Sequence, residues 1–81
     1  MIVRVLLFAL AKQQIGQSLI EVEVKPGASI GELKNAIIAQ FPKSEQIVAK
    51  SMFAQNDKYS TDQEAVDPKA EIACIPPVSG G

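Results

Sequence analysis

Hydrophobic and polar residues alternate most plainly between Ser18 and Lys25, in the stretch SLIEVEVK. Ile20, Val22 and Val24 fall on one side of an extended chain and Glu21, Glu23 and Lys25 on the other, with Leu19 joining the apolar series loosely. A period of two predicts a half-buried strand. Upstream, Ile2 to Ala9 is rich in Val, Leu and Phe and predicts a first strand. Between them KQQIGQS (residues 12–18) is polar, contains Gly16 and reads as a turn. The two strands are therefore expected to form an antiparallel hairpin. Pro26 and Gly27 break the alternation.

The period then changes. Ile30, Leu33, Ile37 and Phe41 recur at helical spacing, with Lys34, Asn35 and Gln40 lying away from that stripe. Ser29 and Glu32 have the spacing of a capping box, in which each side chain satisfies a backbone N–H of the first turn. Pro42 ends the helix. A further short turn is expected at Glu45 to Ile47, and VAKSMFAQN (48–56) reads as a third long strand. Asn56-Asp57 is a turn signal, and a short strand is expected near Tyr59, its ring tucked partly under the following irregular loop. Asp67-Pro68 marks another turn, and EIACI (71–75) is the last strand, stopped by Pro76. Two strands, a helix and returning strands predict an α+β layer, one helix packed across a mixed sheet.

One helix covers one face of a sheet. In the first strand Val3, Val5 and Leu7 share one side, and Arg4, Leu6 and Phe8 the other. If the first set packs under the helix, Leu6 and Phe8 lie on the open side. Ile75, opposite in sense to Cys74, is expected to join them. An exposed apolar patch of this kind is a partner surface by default.

Composition narrows the function more by exclusion than by assertion. At 81 residues a single domain is expected, and 47% apolar content suffices for one core. A net charge of −1 gives no electrostatic reason to expect nucleic acid or a membrane surface as partner. The chain has no histidine and one cysteine, Cys74, so Ser-His and Cys-His nucleophiles and an internal disulfide are excluded, and zinc would lack its usual ligands. Cys74 lies in an apolar strand and is expected to be a buried, inert thiol, at home in a reducing cytoplasm. The start, MIVRVLLFALAK, has the outline of a secretory signal. Its apolar run from Val5 to Ala11 is at the short limit, and a first strand is the reading adopted. The acidic residues fall on polar faces and loops and read as solubilising charges.

The C-terminus is the distinctive feature. The last strand runs into Pro76-Pro77, which favour an extended conformation, and then into Val78, Ser79, Gly80 and Gly81. The domain is expected to span residues 1–75 and an extended tail residues 76–81, reaching up to about 19 Å at about 3.1 Å per residue. Glycine has no Cβ, so a Gly-Gly tip can enter a channel too narrow for side chains. A partner's active site could then work on the terminal carboxylate.

The β-β-α-β-β order and terminal Gly-Gly resemble ubiquitin-like proteins, and EIACIPPVSGG is similar to one branch of them, the small subunit of molybdopterin synthase. Ile75 to Gly81 match that family's ending in full, while VRVLLFALAK (3–12) and FAQNDKY (53–59) resemble its first and third strands. The chain departs from the pattern at Lys69-Ala70-Glu71, where the family usually has Gly-Asp-Glu, and at Lys12, where arginine is common. The resemblance implies a ubiquitin-like β-grasp of four to five strands and a sulfur carrier without catalytic side chains of its own. An activating enzyme would use ATP to adenylate Gly81, and a sulfur donor would convert it to a thiocarboxylate. Pro76 to Gly80 would then thread into a large subunit, with Leu6, Phe8, Lys12 and Ile75 at the docking surface. There the sulfur would pass to a cyclic pyranopterin precursor, in a heterotetramer of two small and two large subunits. No bound cofactor or metal is implied. Two alternatives remain at this point: a protein modifier conjugated through Gly81, and the sulfur carrier of the thiazole pathway.

Overall fold

The structure, a computed structural model, describes residues 1–77. Its elements run β1 (Ile2–Leu7), α1 (Ala9–Ile15), β2 (Leu19–Glu23), α2 (Ile30–Gln40), a 3₁₀ turn (Pro42–Ser44), α3 (Glu45–Lys50), β3 (Met52–Gln55), β4 (Lys58–Ser60) and β5 (Ile72–Ile75). The strands form one five-stranded sheet in the order β2-β1-β5-β3-β4. β1 pairs antiparallel with β2 and parallel with β5, while β3 pairs antiparallel with both β5 and β4. The sheet is mixed, as expected, with the first and last strands side by side at its centre. A parallel pair needs a long crossover, and the helical middle of the chain supplies it.

The apolar alternation decides which face α2 covers. Val3, Val5 and Leu7 of β1, Ile20 and Val22 of β2, Phe53 of β3, and Ile72 and Cys74 of β5 are all buried, and Ile30, Leu33 and Ile37 of α2 close over them. Ser29 and Glu32 form the expected capping box, with the Glu32 N–H donating to Ser29 Oγ at 3.1 Å and the Ser29 N–H to Glu32 Oε1 at 2.9 Å. The remaining N–H groups of the first turn find partners too. Ile30 donates to the Glu64 carbonyl and Gly31 to the Asp62 carbonyl, both at 2.9 Å, and Leu33 bonds back to Ser29. The loop after β4 thus serves as a second cap for α2. Asp62 also pairs with Lys34 at 2.8 Å, holding the loop to the helix. A Cβ at Gly31 would lie 3.4 Å from the Asp62 carbonyl oxygen, close to ordinary van der Waals contact.

Three local expectations are corrected. The segment read as a turn at 12–18 is mostly helix: β1 stops at Leu7, and α1 runs from Ala9 to Ile15. Ala11 and Ile15, four apart, face the body, while Lys12, Gln13 and Gln14 face out. Tertiary packing stabilises a helix too short to persist alone. Gly16 is its cap, left-handed at φ 86°, with its N–H donating to the Lys12 carbonyl at 2.7 Å. The third strand begins at Met52, not Val48, because Val48 is the buried residue of α3. Ser51 stops that helix, its Oγ donating to the Ile47 carbonyl at 2.7 Å. Finally, Pro76 is buried and Pro77 is exposed. The packed body therefore extends one residue past the boundary expected at 75, and any free arm begins no earlier than Pro77. Val78, Ser79, Gly80 and Gly81 lie outside the described residues.

The turn at Lys69-Ala70-Glu71 closes without glycine. The Asp67 carboxylate accepts from the Lys69 N–H at 2.9 Å, and its carbonyl accepts from Ala70 at 3.0 Å. Asn56 then clamps Glu71 from both sides: its Oδ1 accepts from the Glu71 N–H at 3.1 Å, and its own N–H donates to the Glu71 carbonyl at 3.0 Å. Side-chain acceptors do here what a glycine turn does elsewhere.

Candidate functional site

Among the described residues, the sheet face away from α2 has no covering layer. Cross-strand register lines up Leu19, Leu6, Ala73, Ala54 and Tyr59 in one row from β2 to β4. Met52 stands opposite Ile75 in the next row. Residues facing one another across adjacent strands share a face, so these side chains form a continuous apolar strip. Phe8, Met52 and Tyr59 are 46%, 51% and 66% exposed. A shallow depression of about 250 Å³ lies in the strip, lined by Leu6, Phe8, Ala54, Tyr59, Ala73 and Ile75 with the carboxylates of Asp57 and Glu71. Toward β2 the face turns polar, with Arg4 and Lys69 around a second hollow beside Leu6 and Leu19.

The chain fixes Phe8 at the head of this strip by a sharp change of direction. Its N–H still belongs to the sheet, donating to the Cys74 carbonyl at 3.3 Å, while its carbonyl already accepts from Ala11 at 3.1 Å as the first bond of α1. Ala9 makes the switch in a single step, at φ 50°, in the left-handed region that costs a non-glycine residue about 1–2 kcal/mol.

Of the residues assigned from sequence, the structure brings Leu6, Phe8 and Ile75 together in one hollow, directly before Pro76. Lys12 is exposed on α1 and does not line that hollow. Tyr59, expected to tuck its ring under a loop, instead presents it to solvent. Sequence reasoning did not place Met52, Ala54, Tyr59 and Ala73 on this face. The signal was present. Asn56 and Asp57 both adopt positive φ, 50° and 69°, as a type I′ hairpin turn requires. A two-residue turn there sets Gln55 against Lys58 and hence Ala54 against Tyr59.

No reactive side chain lies in the strip. Cys74 points to the other face and is fully buried. Burial pushes its thiol pKa up, opposed by the neighbouring Ser51 hydroxyl and the charge of Lys34, so the thiol stays protonated and unreactive near neutral pH. Among the described residues no group of His, Cys, Asp and Glu could hold a metal ion, and no helix is long and apolar enough to cross a membrane. What the face offers is adhesion, beside the strand that leads into Pro76 and Pro77.

Residues 5–81 match the ThiS family, a match that begins in β1 and runs through the terminal glycine. The chain belongs to the ThiS family. Within it, the chain is 35% identical over 81 residues to the molybdopterin synthase sulfur carrier subunit of Chlamydomonas reinhardtii, covering 98% of both proteins. Its fold superposes on SAMP1 from Haloferax volcanii with a TM-score of 0.86 at 25% identity, over the whole of both chains. It likewise matches a putative molybdopterin converting factor, subunit 1, from Pyrococcus furiosus with a TM-score of 0.83 at 26% identity, over 95% of this chain and 98% of that one. The fold is the ubiquitin-like β-grasp expected from the order of elements, and by homology the chain groups with molybdopterin synthase sulfur carrier subunits.

Proposed function

We propose that this protein carries sulfur on its C-terminal carboxylate for molybdopterin synthesis. The observation that carries the reading is end-to-end relatedness to a sulfur carrier subunit, in a chain that itself finishes Ile75-Pro-Pro-Val-Ser-Gly-Gly81. A carboxylate is a poor acyl donor. An activating enzyme using ATP converts it to an acyl adenylate: a Gly81 carboxylate oxygen attacks the α-phosphorus and pyrophosphate leaves. A sulfur donor then displaces AMP, leaving a thiocarboxylate. In this reading the protein supplies no catalytic side chain to either step.

The apolar strip around Phe8 and Ile75 docks on the large subunit of the synthase, and the segment from Pro77 onward delivers Gly81 to the catalytic groups there. Lys12, exposed on α1, supplies a point charge at the edge of that contact. Assembly as two small and two large subunits lets successive carriers provide both sulfurs of the dithiolene on the cyclic pyranopterin precursor. A reducing cytoplasm, in which Cys74 remains a thiol, is the compartment this scheme requires. Reconstitution tests it. Thiocarboxylated protein mixed with large subunit and precursor should yield molybdopterin, and the same mixture with the carboxylate form should not. Equal yields from both forms would overturn the proposal, and higher-mass conjugates joined through Gly81 to target lysines would assign the protein to a modifier role instead.

A further inference from the structure

The chain contains two methionines and one cysteine, and the fold treats them very differently. Cys74, the usual target of oxidants, is wholly buried, and its thiol is held in the unreactive protonated form. Met1 is partly buried against the core, its ammonium group donating to the Val24 carbonyl at 2.7 Å and its own carbonyl accepting from the Val24 N–H at 2.9 Å. Met52 is 51% exposed, in a regular strand, on the open face of the sheet and opposite Ile75.

We infer that Met52 is a selective and reversible oxidation site whose state controls docking through the open face. The inference rests on the reading of that face as the large-subunit surface. The oxidant is a hydroperoxide. The thioether lone pair attacks the distal peroxide oxygen, the O–O bond breaks, sulfur loses two electrons, and the peroxide leaves as water or an alcohol after proton transfer. The product is a sulfoxide, polar and chiral, where an apolar side chain stood. Met52 is half exposed and is not one of the buried residues of the core, so the change should leave the fold intact. A partner seated on the strip, however, must desolvate the new S–O dipole without a matching donor. Methionine sulfoxide reductases reverse the step, and a buried thiol spares the protein irreversible damage in the meantime.

The test uses the full chain with an unsulfurated terminus, so that the thiocarboxylate does not consume oxidant. Hydrogen peroxide is added, peptide mapping follows each sulfur, circular dichroism follows the fold, and titration with large subunit follows docking. Met52 should gain one oxygen before Met1 or Cys74 reacts, the spectrum should not change, and affinity should fall by about tenfold, as expected for an unsatisfied polar group at an interface. The two reductases acting on the two sulfoxide epimers should restore it. Met52→Leu sets its own starting affinity, and peroxide should leave that affinity unchanged. Faster oxidation at Cys74 or Met1, unchanged affinity of the Met52 sulfoxide, or equal peroxide sensitivity in Met52→Leu would each overturn the inference. Phe8→Asp in the same titration separates the two levels: if it binds like the native chain, the docking reading fails. If it binds weakly while the sulfoxide binds normally, only the role of Met52 fails.

Discussion

The two faces of one sheet carry similar residues and have opposite fates. On the helix side, Val3, Val5, Leu7, Phe53, Ile72 and Cys74 are at most 2% exposed. On the other side, Phe8, Met52 and Tyr59 are about half exposed or more, with Leu6 and Ile75 half-buried among them. Strand alternation alone would make both faces apolar in β1 and β5. What separates them is cover: α2, the loop that caps it, and α3 seal one face, and nothing in the described residues seals the other. The sealed face gives the domain its stability. The open face adds little to stability and is available to a partner, beside the strand that leads into the chain end. A small domain divided in this way can lose either property without losing the other.

The sharpest way to break that division is a cavity on the sealed face. Leu33→Ala should cost about 2–5 kcal/mol, a large share of the roughly 5–15 kcal/mol available to a domain. Urea unfolding measures it, and a loss below about 1 kcal/mol would mean that α2 does not pack as described. Next in size is the reciprocal change on the open face. Phe8→Asp should weaken large-subunit binding by about 2 kcal/mol or more, as for a central aromatic anchor. Its unfolding midpoint should stay within about 0.5 kcal/mol of native. Cooperative unfolding of that variant at low urea would return Phe8 to the core. Ser29→Ala should cost about 1 kcal/mol by removing half of the capping box, with docking unchanged. A binding defect in Ser29→Ala would show that the two faces are coupled.

The smallest effect is a pH dependence. Burial raises the Cys74 pKa in the folded state, so the folded state favours the neutral thiol. Its contribution is fully present below the ordinary thiol value of about 8.5 and erodes as pH rises above it toward the folded-state value. Urea midpoints should therefore fall more steeply above about pH 8.5 for the native chain than for Cys74→Ala. Parallel curves would mean that the thiol is not desolvated as its burial requires.

Much of this was legible in the sequence, because the strongest periodicities were also the structural ones. Ile20, Val22 and Val24, the α2 stripe and the Ser29-Glu32 cap all follow from local rules that tertiary structure reinforces. The sides of β1 could be sorted because a single helix can cover only one. The failures fall where tertiary packing overrode weak local preference. Residues 9–15 lack a long enough stripe to announce a helix, and only docking of Ala11 and Ile15 makes one. Val48 looked like strand because β-branched residues suit strands, but the turn at Pro42 sets up α3 and buries it there. Tyr59 was misplaced because its surroundings are polar. Only the register imposed by Asn56-Asp57 shows that it faces outward. Pro76 was assigned to the arm by residue type, whereas its burial depends on contacts that no local rule supplies.

The central claim is that the chain's own terminal carboxylate is the working group, and mass spectrometry of Gly81 tests it most directly. The native protein and two variants, one extended by a residue after Gly81 and one lacking Gly81, are incubated with activating enzyme, ATP and sulfur donor. One residue moves the reactive carbon by about 3.5 Å along an extended chain. Displacement of even 1 Å costs a positioned reaction about a hundredfold. The mass change must be localised to the C-terminal fragment, since a sulfoxide at Met52 adds nearly the same mass as replacing oxygen by sulfur. The native terminus should gain the sulfur-for-oxygen difference, and neither variant should, although both fold and dock normally. Sulfur loading and molybdopterin formation at native levels by the extended variant, with its added residue verified still in place, would contradict the account.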